Sequence, residues 1–148
     1  MADRYKGLDL NNKLIWNFRD IGHTLHRISE GKGSQKRILI ILYETGGITQ
    51  RELTEWLGIQ PGSASEVIGK LEAADLIRRM PSASDHRTTE LTLTEEGRKL
   101  AREAAGQREE RHRNMFSCLS EKEKEILLGL VERINRDWDR KYRKKAEQ

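Results

Sequence analysis

The chain has 148 residues, of which 35 % are charged, 35 % apolar and only 5 % aromatic, and it carries a net charge of +4. That length suits one domain, or one domain with dimerising arms. The modest basic excess permits binding to a polyanion without establishing it, and the strict periodicity of the apolar residues excludes wholesale disorder.

Leu10, Leu14, Ile15, Phe18, Ile21, Leu25 and Ile28 recur at helical spacing and predict a first amphipathic helix ending near EGKG (30–33). Ser34 can cap a second helix that carries Ile38 to Tyr43 and stops at TGG (45–47). The stretch TQRE (49–52) is a capping box, in which the Thr hydroxyl and the Glu carboxylate each satisfy an orphaned backbone N–H. The short helix it opens has Leu53 and Leu57 on one face and a natural stop at Gly58.

A fourth helix opens at QPGS (60–63), with Pro61 at the first helical position. Ala64, Val67, Ile68 and Leu71 form its inward stripe, leaving Ser63, Ser65, Glu66, Gly69 and Lys70 outward. Gly69 costs that helix about 1 kcal/mol against Ala, the reason being either a close neighbour or a close approach to a ligand. Two short strands follow around LIRRM (76–80) and TELTL (89–93), joined by a Pro- and Ser-containing loop.

Thr94, Glu95 and Glu96 start a fifth helix, where carboxylates suit the positive end of the dipole. It is expected to run to about Cys118. SEKE (120–123) is a second capping box, launching a last helix through Ile126, Leu127, Leu130, Val131, Ile134 and Trp138. The basic tail RDWDRKYRKK (136–145) reads as a solvated helix face. The expected order is helix, helix, helix, helix, strand, strand, helix, helix: mainly α with a small β wing.

A short helix, a turn at Gly58 and a second helix with small polar residues at its exposed start form a helix-turn-helix candidate. Such a second helix can lie in a DNA major groove with its first turns against base edges. The two strands supply the wing, with Arg78 and Arg79 at its base and Asp85, His86 and Arg87 near its tip. An arginine at such a tip can enter a minor groove, where narrow A·T tracts concentrate negative potential. Asp85 either pre-orients that guanidinium through a charge-assisted hydrogen bond or simply stabilises the turn.

From TQRELTEWLGIQPGSASEVIGKLEAADLIRR through SASDHRTTELTLTEEG the chain closely resembles the MarR (multiple antibiotic resistance regulator) family. The resemblance includes the wing's Asp-x-Arg and the Leu-Thr-x-x-Gly that begins the fifth helix, and the flanking helices share the family's order. It implies one MarR-type domain over 1–148, made of a dimerisation helix (1–30), a winged helix-turn-helix core (31–95) and further dimerisation helices (96–148). It also implies a homodimeric, sequence-specific regulator of transcription, most simply a repressor on a pseudo-palindromic operator, released by a small-molecule effector where one exists.

Carried over residue by residue, Ser63, Ser65, Glu66 and Lys70 fall on the recognition helix, and Arg78, Asp85 and Arg87 on the wing. Thr49, Gln50 and Gln60, at the two helix starts, are phosphate candidates. Leu10, Leu14, Ile126, Leu130, Ile134 and Trp138 are the expected dimer contacts. Trp16, Trp56 and Met115 are candidates for an effector pocket, against the plainer reading of core or interface. Two positions depart from the family: Asp75 stands where Gly is usual, and Glu66 where relatives often carry a basic residue. That departure puts phosphate binding by Glu66 in doubt; it can instead accept from a cytosine amino group, or form a surface ion pair with Lys70.

Other classes are weaker. A winged helix that docks a protein rather than DNA shares the pattern, and steep salt dependence of DNA binding separates the two. The sequence shows no nucleophile with an adjacent base, no phosphate-cradling Gly loop and no complete metal set, so no enzyme, cofactor or metal is expected. Cys118 as a redox sensor, or His23 and His26 with His112 or a carboxylate as a zinc site, would make a sensing member of the same family. The start MADRYKGLDL lacks a signal peptide's apolar core, and ILIILY (38–43) is too short to cross a bilayer. A cytoplasmic protein without membrane association is expected.

Overall fold

The structure, a computed structural model, describes residues 2–31 and 34–143; Lys32 and Gly33, at the expected end of the first helix, and Lys144 and Lys145 of the basic tail lie outside the described residues. Two compact units divide the chain, Met1–Ala104 and Ala105–Gln148. In chain order the elements are α1 (Ala2–Lys6), α2 (Leu10–Ile28), α3 (Gln35–Thr45), β1 (Ile48–Thr49), α4 (Gln50–Leu57), α5 (Pro61–Ala73), β2 (Ile77–Pro81), β3 (Thr89–Leu93), α6 (Glu95–Met115) and α7 (Glu121–Trp138), closed by a π-helical turn (Asp139–Arg143).

Local signals set most of these limits. Asp9 caps α2 by accepting from the Asn12 N–H, which holds the Asp9 carboxyl below its ordinary range. Ser34 caps α3, and Gly46 ends it in the left-handed region at φ 78°. Both predicted capping boxes form, Thr49 with Glu52 and Ser120 with Glu123. The fifth predicted helix ends at Met115, short of Cys118. There the Ser117 hydroxyl and N–H both donate to the Asn114 carbonyl, so the last turn is satisfied locally and the chain is free to turn into Ser120.

The first unit packs its core between α3, α4, α5, the sheet and the start of α6, with Ile38, Leu42, Leu53, Leu57, Ile68 and Leu91 almost wholly buried. Each such side chain contributes about 1.5–3 kcal/mol on burial. α2 contributes no buried residue; its periodic apolar face lies open. The sheet is antiparallel in the order β1-β3-β2, with Ile48 opposite Leu91 and Ile77 opposite Leu93. The two-residue β1 adds to the expected hairpin, and it places the start of α4 directly on the wing.

In the second unit α7 likewise buries no residue. Phe116, Leu127, Leu128 and Val131 line an apolar groove of about 310 Å³ with Lys124 at its rim. Among the described residues no helix is long and apolar enough to cross a membrane.

Candidate nucleic-acid interface

The site begins at the Thr49 cap. The Thr49 hydroxyl accepts from the Glu52 N–H at 3.1 Å, and the Glu52 carboxylate accepts from the Thr49 N–H at 2.9 Å. The Thr49 N–H and then its hydroxyl hold the Glu52 carboxyl below its ordinary range. Gly58, at φ 63°, reverses the chain between α4 and α5, a conformation that costs an L-residue energy and glycine nothing. Pro61 then opens α5 as its first residue.

Ala64, Ile68 and Leu71 are buried and Val67 half-buried, so α5 turns Gly62, Ser63, Glu66, Gly69, Lys70 and Ala73 outward. Glu66 and Lys70 pair at 3.1 Å. A Cβ on Gly69 would meet nothing within 4 Å, so no neighbour among the described residues explains this glycine. Gln50 donates its amide to the Ser65 hydroxyl at 3.0 Å, tying the start of α4 to the first turns of α5. Of the three phosphate candidates, Thr49 is thus engaged in its capping box and Gln50 with Ser65, while Gln60 is exposed and makes no side-chain cap.

The wing loop is tied by hydrogen bonds that converge on Ser82. Ser82 is 2 % exposed. Its hydroxyl donates to Glu90 at 2.8 Å and accepts from the Ser84 N–H at 3.3 Å, while its own N–H donates to the Thr88 carbonyl. At the tip, Asp85 accepts the Arg87 backbone N–H at 3.0 Å, and its contact to the Arg87 Nε is longer, 3.4 Å. In this geometry the carboxylate builds the turn and lies beside the guanidinium. The Arg87 side chain is 93 % exposed.

Two further ties were not legible in the sequence. Arg79 on β2 pairs with Glu72 in the last turn of α5 at 2.9 Å, fixing the wing's base to that helix. Beyond α5 the chain passes through Asp75 at φ 56°, in the left-handed region that favours glycine. Thr94 donates its hydroxyl to the Asp75 carbonyl at 2.7 Å and its N–H to the Leu76 carbonyl at 3.0 Å. Gly97 lies so close to Leu76 that a Cβ there would fall 1.8 Å from the Leu76 carbonyl oxygen. Partners far apart along the chain leave no local signal; only the Leu-Thr-x-x-Gly motif marks one side of this junction.

The remaining predicted residues are placed as follows. Leu10, Leu14, Ile126, Leu130 and Trp138 are exposed and Ile134 half-buried. Trp16 meets Tyr5 edge-on at 6.1 Å, Trp56 lies exposed on α4, and Met115 lines a shallow groove with Gln107, Glu110, Arg111 and Asn114. Arg78 is exposed on β2. Cys118 is an exposed free thiol. His23 and His26 flank a shallow surface with Arg19 and Gly22; among the described residues no three His, Cys, Asp or Glu side chains gather as a metal site.

Comparison with known proteins places this geometry. The MarR family's sequence pattern matches residues 33–89. The uncharacterized HTH-type transcriptional regulator YybA of Bacillus subtilis (strain 168) is 30 % identical over 105 residues, covering 68 % of this chain and 70 % of YybA. YxaD of the same organism is 33 % identical over 95 residues, covering 64 % and 66 %. Among solved structures, the S. aureus MepR–DNA complex matches with a TM-score of 0.65 and 25 % identity over 82 % of this chain and 94 % of that one. The family's pattern falls on α3, α4, α5, the first wing strand and the wing loop described above, and YybA is related over most of its length. The chain therefore belongs to the MarR family and is a transcriptional regulator rather than an enzyme.

Proposed function

We propose that this protein acts as a homodimer that binds double-stranded DNA sequence-specifically and represses transcription from a pseudo-palindromic operator. The observation that carries the reading is the outward face of α5, which points away from the core beside an exposed arginine at the tip of a hydrogen-bonded wing. Ser63, Ser65, Glu66 and Lys70 meet the major groove. Arg87, set by Asp85, enters the flanking minor groove, and Arg78 and Gln60 contact the backbone. MepR, which matches this chain's fold, is itself a DNA complex in its solved structure.

Dimerisation follows from the apolar faces that α2 and α7 leave open. Leu10, Leu14, Ile126, Leu130, Ile134 and Trp138 would be covered by a second copy, at a gain of about 25 cal/mol for each Å² of apolar area removed from water. Two recognition helices roughly 34 Å apart then match one turn of the duplex. A small-molecule effector, with Trp16, Trp56 and Met115 as its proposed contacts, would release DNA only by binding better to a conformation with another spacing. Such a regulator works in the cytoplasm.

Selection of bound fragments from random duplexes tests this directly. The expected result is an inverted repeat, bound with an affinity that falls steeply as salt rises, since each phosphate contact releases a counterion. Recovery of no motif, or a salt-independent affinity, would overturn the reading in favour of a protein-docking winged helix.

A further inference from the structure

The outward face of α5 is almost bare. At 100° per residue Glu66 lies opposite the buried stripe of Ala64, Ile68 and Leu71. Around it stand Gly62, Ser63, Gly69 and Ala73, and a Cβ at either glycine would meet nothing within 4 Å. Only Glu66 and Lys70 carry long side chains on that face; they are 68 % and 61 % exposed, and each is the other's ion-pair partner at 3.1 Å. A helix stripped in this way can sit deep in a major groove, and the first long groups to reach the floor are one carboxylate and one ammonium.

A carboxylate only accepts hydrogen bonds. On the groove floor guanine shows two acceptors, thymine an acceptor and a methyl, and adenine a donor beside an acceptor; cytosine alone shows a donor without a neighbouring acceptor. Carried between two phosphate strands, a carboxylate facing guanine or thymine meets only repulsion, and one facing adenine gains the N6 donor but meets the N7 acceptor beside it. Facing cytosine, it gains the N4 amino group. The ammonium one hydrogen bond away offsets its charge against the phosphates. It also faces the paired guanine, whose O6 is itself one hydrogen bond from cytosine N4. The donor and acceptor on the protein thus stand in the order that a C·G pair presents in reverse.

We infer that Glu66 is the specificity-determining residue of the recognition helix and selects cytosine at one position in each operator half-site, with Lys70 beside it at the paired guanine. The inference rests on the DNA-binding reading above and names what that site reads.

The test is selection from random duplexes by the full chain, as wild type, Glu66→Gln and Glu66→Ala, followed by titration of single-base variants of the recovered site. Wild type is expected to recover a motif with cytosine at two symmetry-related positions, preferred by roughly 5- to 150-fold over other bases. Glutamine offers both a donor and an acceptor, so Glu66→Gln is expected to move the preference at those positions to adenine. Glu66→Ala is expected to flatten it. Both variants should keep the wild-type thermal melt, because the side chain is solvent-facing. Three proteins recovering the same motif with the same base preferences would overturn the assignment of Glu66 and leave the DNA-binding reading standing. A wild-type chain that recovers no motif would overturn both.

Discussion

The Ser82 hydroxyl donates to the Glu90 carboxylate at 2.8 Å from a side chain that is almost wholly buried, although the loop residues after it, 83–88, all face solvent. Glu90 sits on β3 opposite Thr49, the residue that caps α4. The serine therefore joins the wing loop to the entry of the helix-turn-helix. Ser82→Ala is expected to weaken operator binding on the order of 10-fold, as loss of one such bond would. In an Arg87→Ala background the same change should cost almost nothing, because Ser82 acts by placing that arginine. Equal losses in both backgrounds in a double-mutant cycle would reduce Ser82 to a stabilising residue.

Arg87→Ala itself should lower operator affinity about 10-fold or more, the value of a charge-assisted contact. The dimer and its thermal melt should stay as in wild type, since the side chain has no packing role. A parallel loss of folded dimer, seen by sedimentation and circular dichroism, would remove the minor-groove assignment.

Gly97→Ala puts a methyl group onto the Leu76 carbonyl, at a separation no real contact tolerates. Relief requires backbone to move at the end of α5 or the start of α6. Overpacking of this kind costs about 1–3 kcal/mol or more, so the melting temperature should fall by several degrees. Gly69→Ala meets open space and should instead raise it slightly by improving helix propensity. The two melts, read side by side, check the geometry.

The capping carboxylates set an acid limit. Glu52 and Glu123 are both held below the ordinary glutamate range by the N–H and then the hydroxyl of their cap residues. A group whose folded value is depressed contributes stability that is complete above its unfolded value, about 4.3 for glutamate, and is lost as pH falls through the folded value. Stability should therefore drop on acidification below about pH 4.3. The drop should be shallower in a Glu52→Gln, Glu123→Gln variant, measured by urea unfolding across that range.

Changing Leu130 and Ile134 together to Glu should yield monomers. Both lie on the apolar side of α7, and four carboxylates at one two-fold interface would have to be desolvated, raising the dissociation constant by at least on the order of 100-fold. An intact dimer in sedimentation would place the interface elsewhere.

What the sequence made legible was local. Caps at Ser34, Thr49 and Ser120, the stops at Gly46 and Gly58, and Pro61 opening α5 are all decided within a few residues, and the structure has them as expected. The alternation in TELTL marked β3, but β1 is only two residues long and exists because Ile48 and Thr49 find Leu91 and Glu90 across some forty positions. Hydrophobic periodicity identified the faces of α2 and α7 without saying what covers them. In the site, outward positions such as Glu66 followed from helical phase, whereas Ser82, Glu72 with Arg79, and Gly97 acquire their roles only when the chain folds back.

The missing side chain at Gly97 has a mechanical meaning. With the Leu76 carbonyl gripped by Thr94 and no atom left to act as a cushion, the exit of α5 and the first turn of α6 form a gearless joint. A rotation of that first turn would press directly on the backbone by which the chain leaves α5.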